Sequence, residues 1–80
     1  EAAIDKAGYG ALVRNAEGQQ MLIRAHGSHF VGRLLDSSFS GRLSYNQLTL
    51  ESAERTFGAT TLNLGDDAQF WTARLREVLS

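Results

Sequence analysis

Histidine, serine and aspartate side chains gather in the middle of the chain, where they could bind a metal or hydrolyse a bond. His26 and His29 are spaced H-x-x-H around Ser28, and Asp36 follows with three further serines nearby. Zinc requires three or four ligands in closed geometry, and on an extended chain this spacing points the two imidazoles to opposite faces. No nucleophile-elbow motif orders the serines. We therefore predict no metal site, no cofactor and no enzyme activity.

Basic side chains recur at alternating positions of the predicted strands and form a second candidate site. One sheet face is predicted to carry Arg14, Arg24, His26 and Arg33, with Leu12 and Leu22 between them. Arginines on such a face contact the phosphates of RNA or single-stranded DNA, although readers of single strands usually stack bases on aromatic side chains, which this face lacks. The simpler interpretation is a solvated face whose arginine stems cover the two leucines. These six residues are the predicted contact site for nucleic acid or a protein partner.

A hairpin positions most of these residues. The segment Asn15-Ala16-Glu17-Gly18 has the asparagine and glycine of a type I turn closed by a left-handed residue, which pairs Asn15 with Gln19. That register places Val13 opposite Met21, Ala11 opposite Ile23 and Tyr9 opposite Ala25 on one face, and Leu12 opposite Leu22 on the other. We predict that the first face packs on the core and that the face with Leu12 and Leu22 is open to solvent.

The second half of the chain is predicted to form helix, strand and helix. Residues 44–57 begin with the capping-box pattern of Ser44 and Gln47, and Leu50, Ala53 and Phe57 share one helical face. Residues 59–64 are rich in β-branched side chains, which is typical of a strand. Asp66 then caps a final helix, in which residues 68, 71, 75 and 78 form the apolar stripe.

Three segments leave alternatives open. Residues 29–35 fit a third strand, which we favour because a hairpin alone is a poor platform for two helices, and they also fit a short helix. Residues 36–41 have the composition of a loop, and Phe39 within it either fills the core or is an exposed contact. Residues 1–6 either fray or form one turn of helix.

Together these elements predict an α+β two-layer sandwich. An antiparallel sheet of three to four strands would carry two helices on one face, in the order β-β-β-α-β-α. Eighty residues form one small domain, 1–80, with a net charge of −1 and no cysteine. No apolar run approaches the roughly 20 residues of a membrane span. We expect a cytoplasmic location and no membrane contact, and because the chain begins at Glu1, we expect an excised domain or a processed product.

The second half of the chain also resembles a known family. The pattern L-x-L-x-x-A-x-x-x-F-G, a short strand and G-x-D-x-x-F follow one another here as Leu48, Leu50, Ala53, Phe57, Gly58, Gly65, Asp67 and Phe70. This rhythm is similar to that of a small accessory domain in the large relaxase and mobilisation proteins of conjugative plasmids, across most of residues 8–80. The chain departs from the family at Thr56, where a basic residue is usual, at Asp66, where serine caps the helix, and by extra residues between positions 35 and 45.

The resemblance implies packing and capping roles for the matched residues, and it carries over no catalytic residue. It favours a non-catalytic accessory or interaction module of a bacterial, conjugative DNA-processing protein, which contacts parent-chain domains, another protein or, weakly, single-stranded nucleic acid. The alternative is a stand-alone regulatory or inhibitory domain that binds a protein through a sheet edge or through the face with Leu12 and Leu22.

Overall fold

The computed structural model of the chain describes residues 1–79, which contain seven β-strands and one α-helix. The strands are β1 (Ala2–Ile4), β2 (Gly10–Arg14), β3 (Gln20–His26), β4 (His29–Leu34), β5 (Phe39–Ser44), β6 (Gln47–Ser52) and β7 (Ala59–Asn63). A single 3-10 turn (Gly65–Asp67) leads into the helix α1 (Ala68–Leu75). Strands β1–β4 form one antiparallel sheet and β5–β7 form a second. The predicted α+β sandwich with two helices is therefore wrong, because the domain is mostly β.

The first hairpin forms with the predicted register. The backbone N–H of Asn15 donates to the carbonyl of Gln19 at 3.0 Å, and the Asn15 side-chain oxygen accepts from the N–H of Glu17 and of Gln19. Leu12 pairs with Leu22, Ala11 with Ile23 and Val13 with Met21. The register was predictable because asparagine and glycine specify this turn locally.

Strands on both sides extend this hairpin into a four-stranded sheet. Residues 29–34 form β4 and pair with β3, which confirms the favoured strand over the short helix. Residues 2–4 form β1 and pair with β2, so the expected fraying or helical turn at the start of the chain is wrong. Phe39 begins β5 and is buried, so it belongs to the core.

The predicted helix over residues 44–57 is wrong, because this segment forms the end of β5, all of β6 and a turn. Leu48 and Leu50 alternate with Thr49 and Glu51, and this period of two places both leucines in the core. Strand β6 pairs with β5 on one side and β7 on the other, so its backbone groups are satisfied by the neighbouring strands and not within a helix. Residues 48, 50, 53 and 57, which carry the resemblance to relaxase accessory domains, lie in β6 and the turn after it.

The joint at Gly58 and the final helix were predicted in part. Gly58 is left-handed, with φ of +72°, but it ends the turn between β6 and β7 instead of a helix. The final helix buries Ala68, Trp71 and Leu75 as expected, and it is shorter than predicted because a 3-10 turn precedes it and α1 ends at Leu75.

The core lies between the inner faces of the two sheets, and α1 packs against β5 and β6. Leu12 and Leu22 from the first sheet and Leu48, Leu50 and Leu62 from the second are completely or almost completely buried. The prediction that Leu12 and Leu22 face solvent is therefore wrong. Both faces of the hairpin carry apolar residues, so alternation alone did not identify the core face. Gly10 helps to decide it, because a β-carbon there would lie 2.8 Å from the Leu62 side chain that packs over it.

Candidate protein-interaction surface

The outer face of the four-stranded sheet is apolar along all four strands. Alternation turns six large apolar side chains outward, and we call these residues the apolar face: Ile4, Val13, Met21, Ile23, Phe30 and Leu34. Alanines and one glycine occupy the other outward positions, so no outward position of β1–β4 carries a charge. This is the face that the sequence predicted as the core face.

Much of the apolar face is open to solvent. Ile4 is 68% exposed, Phe30 66% and Leu34 54%, while Val13, Met21 and Ile23 are half-buried. Tyr9 adjoins the face beside Ala25 and is 69% exposed. Monomeric proteins rarely expose contiguous apolar surface of this extent, and such patches commonly mark interaction sites.

The outer face of the three-stranded sheet has the opposite character. Its outward positions are mostly polar or charged: Ser40, Arg42, Ser44, Gln47, Thr49, Glu51, Thr61 and Asn63. The hydroxyls of Thr49 and Thr61 form a cross-strand hydrogen bond of 2.8 Å on this surface. The outer face of the three-stranded sheet is therefore polar, whereas the outer face of the four-stranded sheet is apolar.

Two of the predicted arginines meet at the edge of the core. The guanidinium carbon of Arg24 lies 4.3 Å from the centre of the Phe57 ring, and that of Arg33 lies 5.2 Å from it. Arg24 also donates to the Thr60 hydroxyl at 3.3 Å, and the Nε of Arg33 lies 3.9 Å from a carboxylate oxygen of Glu54. These contacts are cation–π and polar packing contacts, so the expectation of fully solvated arginine heads is wrong for Arg24, which is half-buried.

The two arginines open onto a shallow pocket. Its volume is about 170 Å³, and its walls are Arg24, His26, Val31, Arg33, Thr56 and Phe57. The Nε of Arg24 is buried without a hydrogen-bond partner. The structure thus brings Arg24, His26 and Arg33 together, as predicted for one sheet face.

Arg14 lies apart from this pocket. It is the cross-strand partner of Gln20, four residues along β3 from Arg24, a distance of about 13 Å along the strand. Its guanidinium lies 3.6 Å from the carboxylate of Glu1, whose second oxygen accepts a hydrogen bond of 2.8 Å from Arg74. The hydrogen bond from Arg74 is the main cause that lowers the pKa of Glu1 below its ordinary value.

The histidine and serine cluster is a pair of turns. His26 and His29 are cross-strand partners on either side of the Gly27–Ser28 turn, so they share one face, and the prediction of opposite faces is wrong because the chain reverses between them. Asp36 accepts hydrogen bonds from the hydroxyl and the N–H of Ser38, which lower the pKa of Asp36. Residues 1–79 contain no group of three or more histidine and acidic side chains placed to hold a metal.

The signal for the apolar face was present in the sequence. The alternation of Val13 with Leu12 and of Ile23 with Leu22 defines two faces, and the sequence does not say which one a second layer covers. Because residues 36–41 were predicted as a loop and residues 44–57 as a helix, no second sheet was expected to cover the face with Leu12 and Leu22.

Comparisons with known proteins identify no family. The chain matches no protein-family model, no curated protein and no solved structure. Within residues 1–79, no helix combines the length and the apolar character that crossing a membrane requires.

Proposed function

We propose that the domain is a non-catalytic interaction module that binds another protein through the apolar face. The exposure of Ile4, Phe30 and Leu34 on one uncharged sheet surface is the observation that carries this proposal. Burial of apolar surface on binding stabilises the complex by roughly 25 cal/mol for each Å² removed from water. The sheet already fixes the backbone beneath these side chains, so binding does not have to order that part of the chain.

The surroundings of the apolar face support the same function. Polar turns border it at both ends, with residues 15–19 at one end and residues 26–29 at the other. An apolar centre with a polar rim is the usual anatomy of a protein interface. Phe30 supplies an aromatic side chain of the kind that is enriched at the centres of interfaces.

Two biological settings suit this module. The resemblance in residues 8–80 supports a module of a bacterial, conjugative DNA-processing protein in the cytoplasm, where the apolar face would dock on a parent-chain domain or another protein. The alternative is a stand-alone regulatory or inhibitory domain that uses the same face. Both settings require the same surface, so the surface can be tested before the setting is known.

Photo-crosslinking tests the proposed function. A photoreactive phenylalanine analogue replaces Phe30 in one variant and Thr61, on the polar outer face of the other sheet, in a matched control. On irradiation in a lysate of the source cells, we expect discrete protein adducts from position 30 that are absent from position 61. Equal adduct patterns at the two positions, or none at either, would contradict the proposal.

A second candidate function is weak binding of single-stranded nucleic acid. The observation that favours it is the pocket in which Arg24 and Arg33 lie beside His26 and the exposed Thr56. Guanidinium groups bind phosphate oxygens with two donors at once. Glu54 beside Arg33 and the net charge of −1 limit the attraction, so any affinity would be low.

A further inference from the structure

We propose that the occupant of the apolar face is a second copy of this chain, so that two four-stranded sheets pack face to face. This inference rests on the proposed function, because it names the partner that the same surface binds. It requires a closed, two-fold symmetric contact in which both copies use the same residues.

The absence of charge on the apolar face favours a second copy. Burying a charged group without a partner is costly, so a surface that binds a charged partner normally carries the opposite charge. No outward position of β1–β4 is charged, and a second copy brings none to meet it. The whole chain carries a net charge of only −1, so two copies approach with little repulsion.

The size of the surface also fits. More than half of each of Ile4, Phe30 and Leu34 is exposed, as is more than half of the adjoining Tyr9, and together these four residues present on the order of 500 Å². The half-buried Val13, Met21 and Ile23 add to this area. The face therefore approaches the roughly 800 Å² per partner of a standard interface. Because area does not fix affinity, we expect a dissociation constant in the micromolar range.

The usual geometry of stacked sheets predicts which residues meet across the contact. Two stacked sheets lie about 10 Å apart with their strands nearly aligned. A two-fold axis parallel to the strands sets β1 of one copy over β4 of the other. Ile4 of each copy then lies over the strand that carries Phe30 and Leu34 in the other copy, while Met21 and Ile23 meet near the axis.

Sedimentation equilibrium over a concentration series tests the second copy directly. The wild-type chain should pass from the monomer mass to twice that mass. The double variant Phe30→Glu with Leu34→Glu buries like charges in such a contact and should weaken association at least tenfold. The control Phe70→Glu makes the same change at another exposed aromatic residue, in α1, and should associate like the wild type.

Thermal melts at low concentration check that the double variant folds. If it does not, the milder pair Phe30→Ser and Leu34→Ser takes its place. A wild-type chain that is still monomeric near 1 mM, the weak end of specific binding, overturns the proposal that a second copy binds the apolar face. Dimers that form equally well in the wild type and the double variant overturn it too, because their contact lies elsewhere.

A dye separates the failure of this inference from the failure of the proposed function. Anilinonaphthalene sulfonate fluoresces on open apolar surfaces. If the wild type is monomeric and the dye binds it but not the double variant, the second copy is excluded and the proposed function stands with another partner. If the wild type is monomeric and binds no dye, both proposals fail.

Discussion

The carboxylate of Asp5 accepts a hydrogen bond of 2.8 Å from the backbone N–H of Asn63, 58 residues away in the chain. Its second oxygen accepts from the N–H of Tyr9 at 3.1 Å, and the neighbouring Lys6 N–H donates to the Asn63 carbonyl at 2.9 Å. Asp5 is only 5% exposed. One buried side chain therefore joins the loop between β1 and β2 to the end of β7, and so joins the two sheets.

Replacing this carboxylate should destabilise the domain. Asp5→Ala leaves two backbone N–H groups without their acceptor, and we expect the free energy of unfolding to fall by about 2–4 kcal/mol. Urea denaturation at neutral pH measures the change. Asp67→Ala is the control, since Asp67 is exposed and its side chain makes no capping hydrogen bond. Equal loss in the two variants would show that Asp5 does not join the sheets.

The two faces of the first sheet should respond very differently to the same substitution. Leu12→Ala removes a fully buried side chain and should cost about 2–5 kcal/mol of unfolding free energy. Leu34→Ala removes a side chain that is 54% exposed and should change it by about 0.5 kcal/mol at concentrations where the chain is monomeric. Denaturant midpoints measure both variants. If Leu34→Ala costs as much as Leu12→Ala, the apolar face is covered within the monomer.

The parts of the fold that the sequence predicted correctly are those set by neighbouring residues. Asn15 and Gly18 specify their turn within four residues, and the register of β2 and β3 follows from it. The stripe of Ala68, Trp71 and Leu75 likewise identifies the inner face of α1. These signals do not depend on what the rest of the chain does.

The parts that failed depend on pairing between strands that were not predicted to be neighbours. Leu50, Ala53 and Phe57 fit a helical spacing, while Leu48 and Leu50 also fit a strand. The strand forms because β5 and β7 both pair with β6, and the two-residue turn at Tyr45 and Asn46 that joins β5 to β6 was not predicted. Because the second sheet was not predicted, the core face of the first sheet was assigned to the wrong side. In the candidate site, Leu12 and Leu22 are therefore buried, and only the arginines and His26 reach the surface.

The neighbours Trp71 and Phe70 provide a test of the helix face. Trp71 is 3% exposed, so Trp71→Ala should cost about 3–5 kcal/mol. Phe70 is 49% exposed and lies 4.3 Å from the Arg74 guanidinium, so Phe70→Ala should cost only about 1 kcal/mol. Thermal melts of the two variants compare them directly. A shift of only a degree or two for Trp71→Ala would contradict its place in the core.

The ion pairs of Glu1 should make the free energy of unfolding depend on pH. Because Arg74 lowers the pKa of Glu1 in the folded state, this carboxylate stabilises the fold above its unfolded pKa, and the contribution is lost as the pH falls through the lower, folded value. Glu1→Gln should therefore unfold at a lower urea concentration than the wild type near pH 7, and the gap should close at a pH well below about 4.3, the unfolded pKa of a glutamate. A gap that is the same at both pH values would contradict the assignment.

The pocket arginines give the sharpest test of nucleic-acid binding. If Arg24 and Arg33 bind phosphates, affinity for a single-stranded oligonucleotide should fall steeply with salt, because each neutralised phosphate releases a counterion. Arg24→Gln with Arg33→Gln should abolish binding, whereas Arg14→Gln should leave most of it, since Arg14 pairs with Glu1 away from the pocket. Fluorescence anisotropy measures all three.

The contacts of Arg24 and Arg33 with Phe57 also contribute to stability. Both guanidinium groups lie against the Phe57 ring, so the double variant should also lose about 1–2 kcal/mol of stability, and its melt must show that it is folded during the titration. Arg33→Gln alone keeps the half-buried Arg24 in place and should still weaken binding. If the wild type binds no oligonucleotide at low salt and about 100 μM protein, within the range of non-specific binders, the pocket has only a packing role.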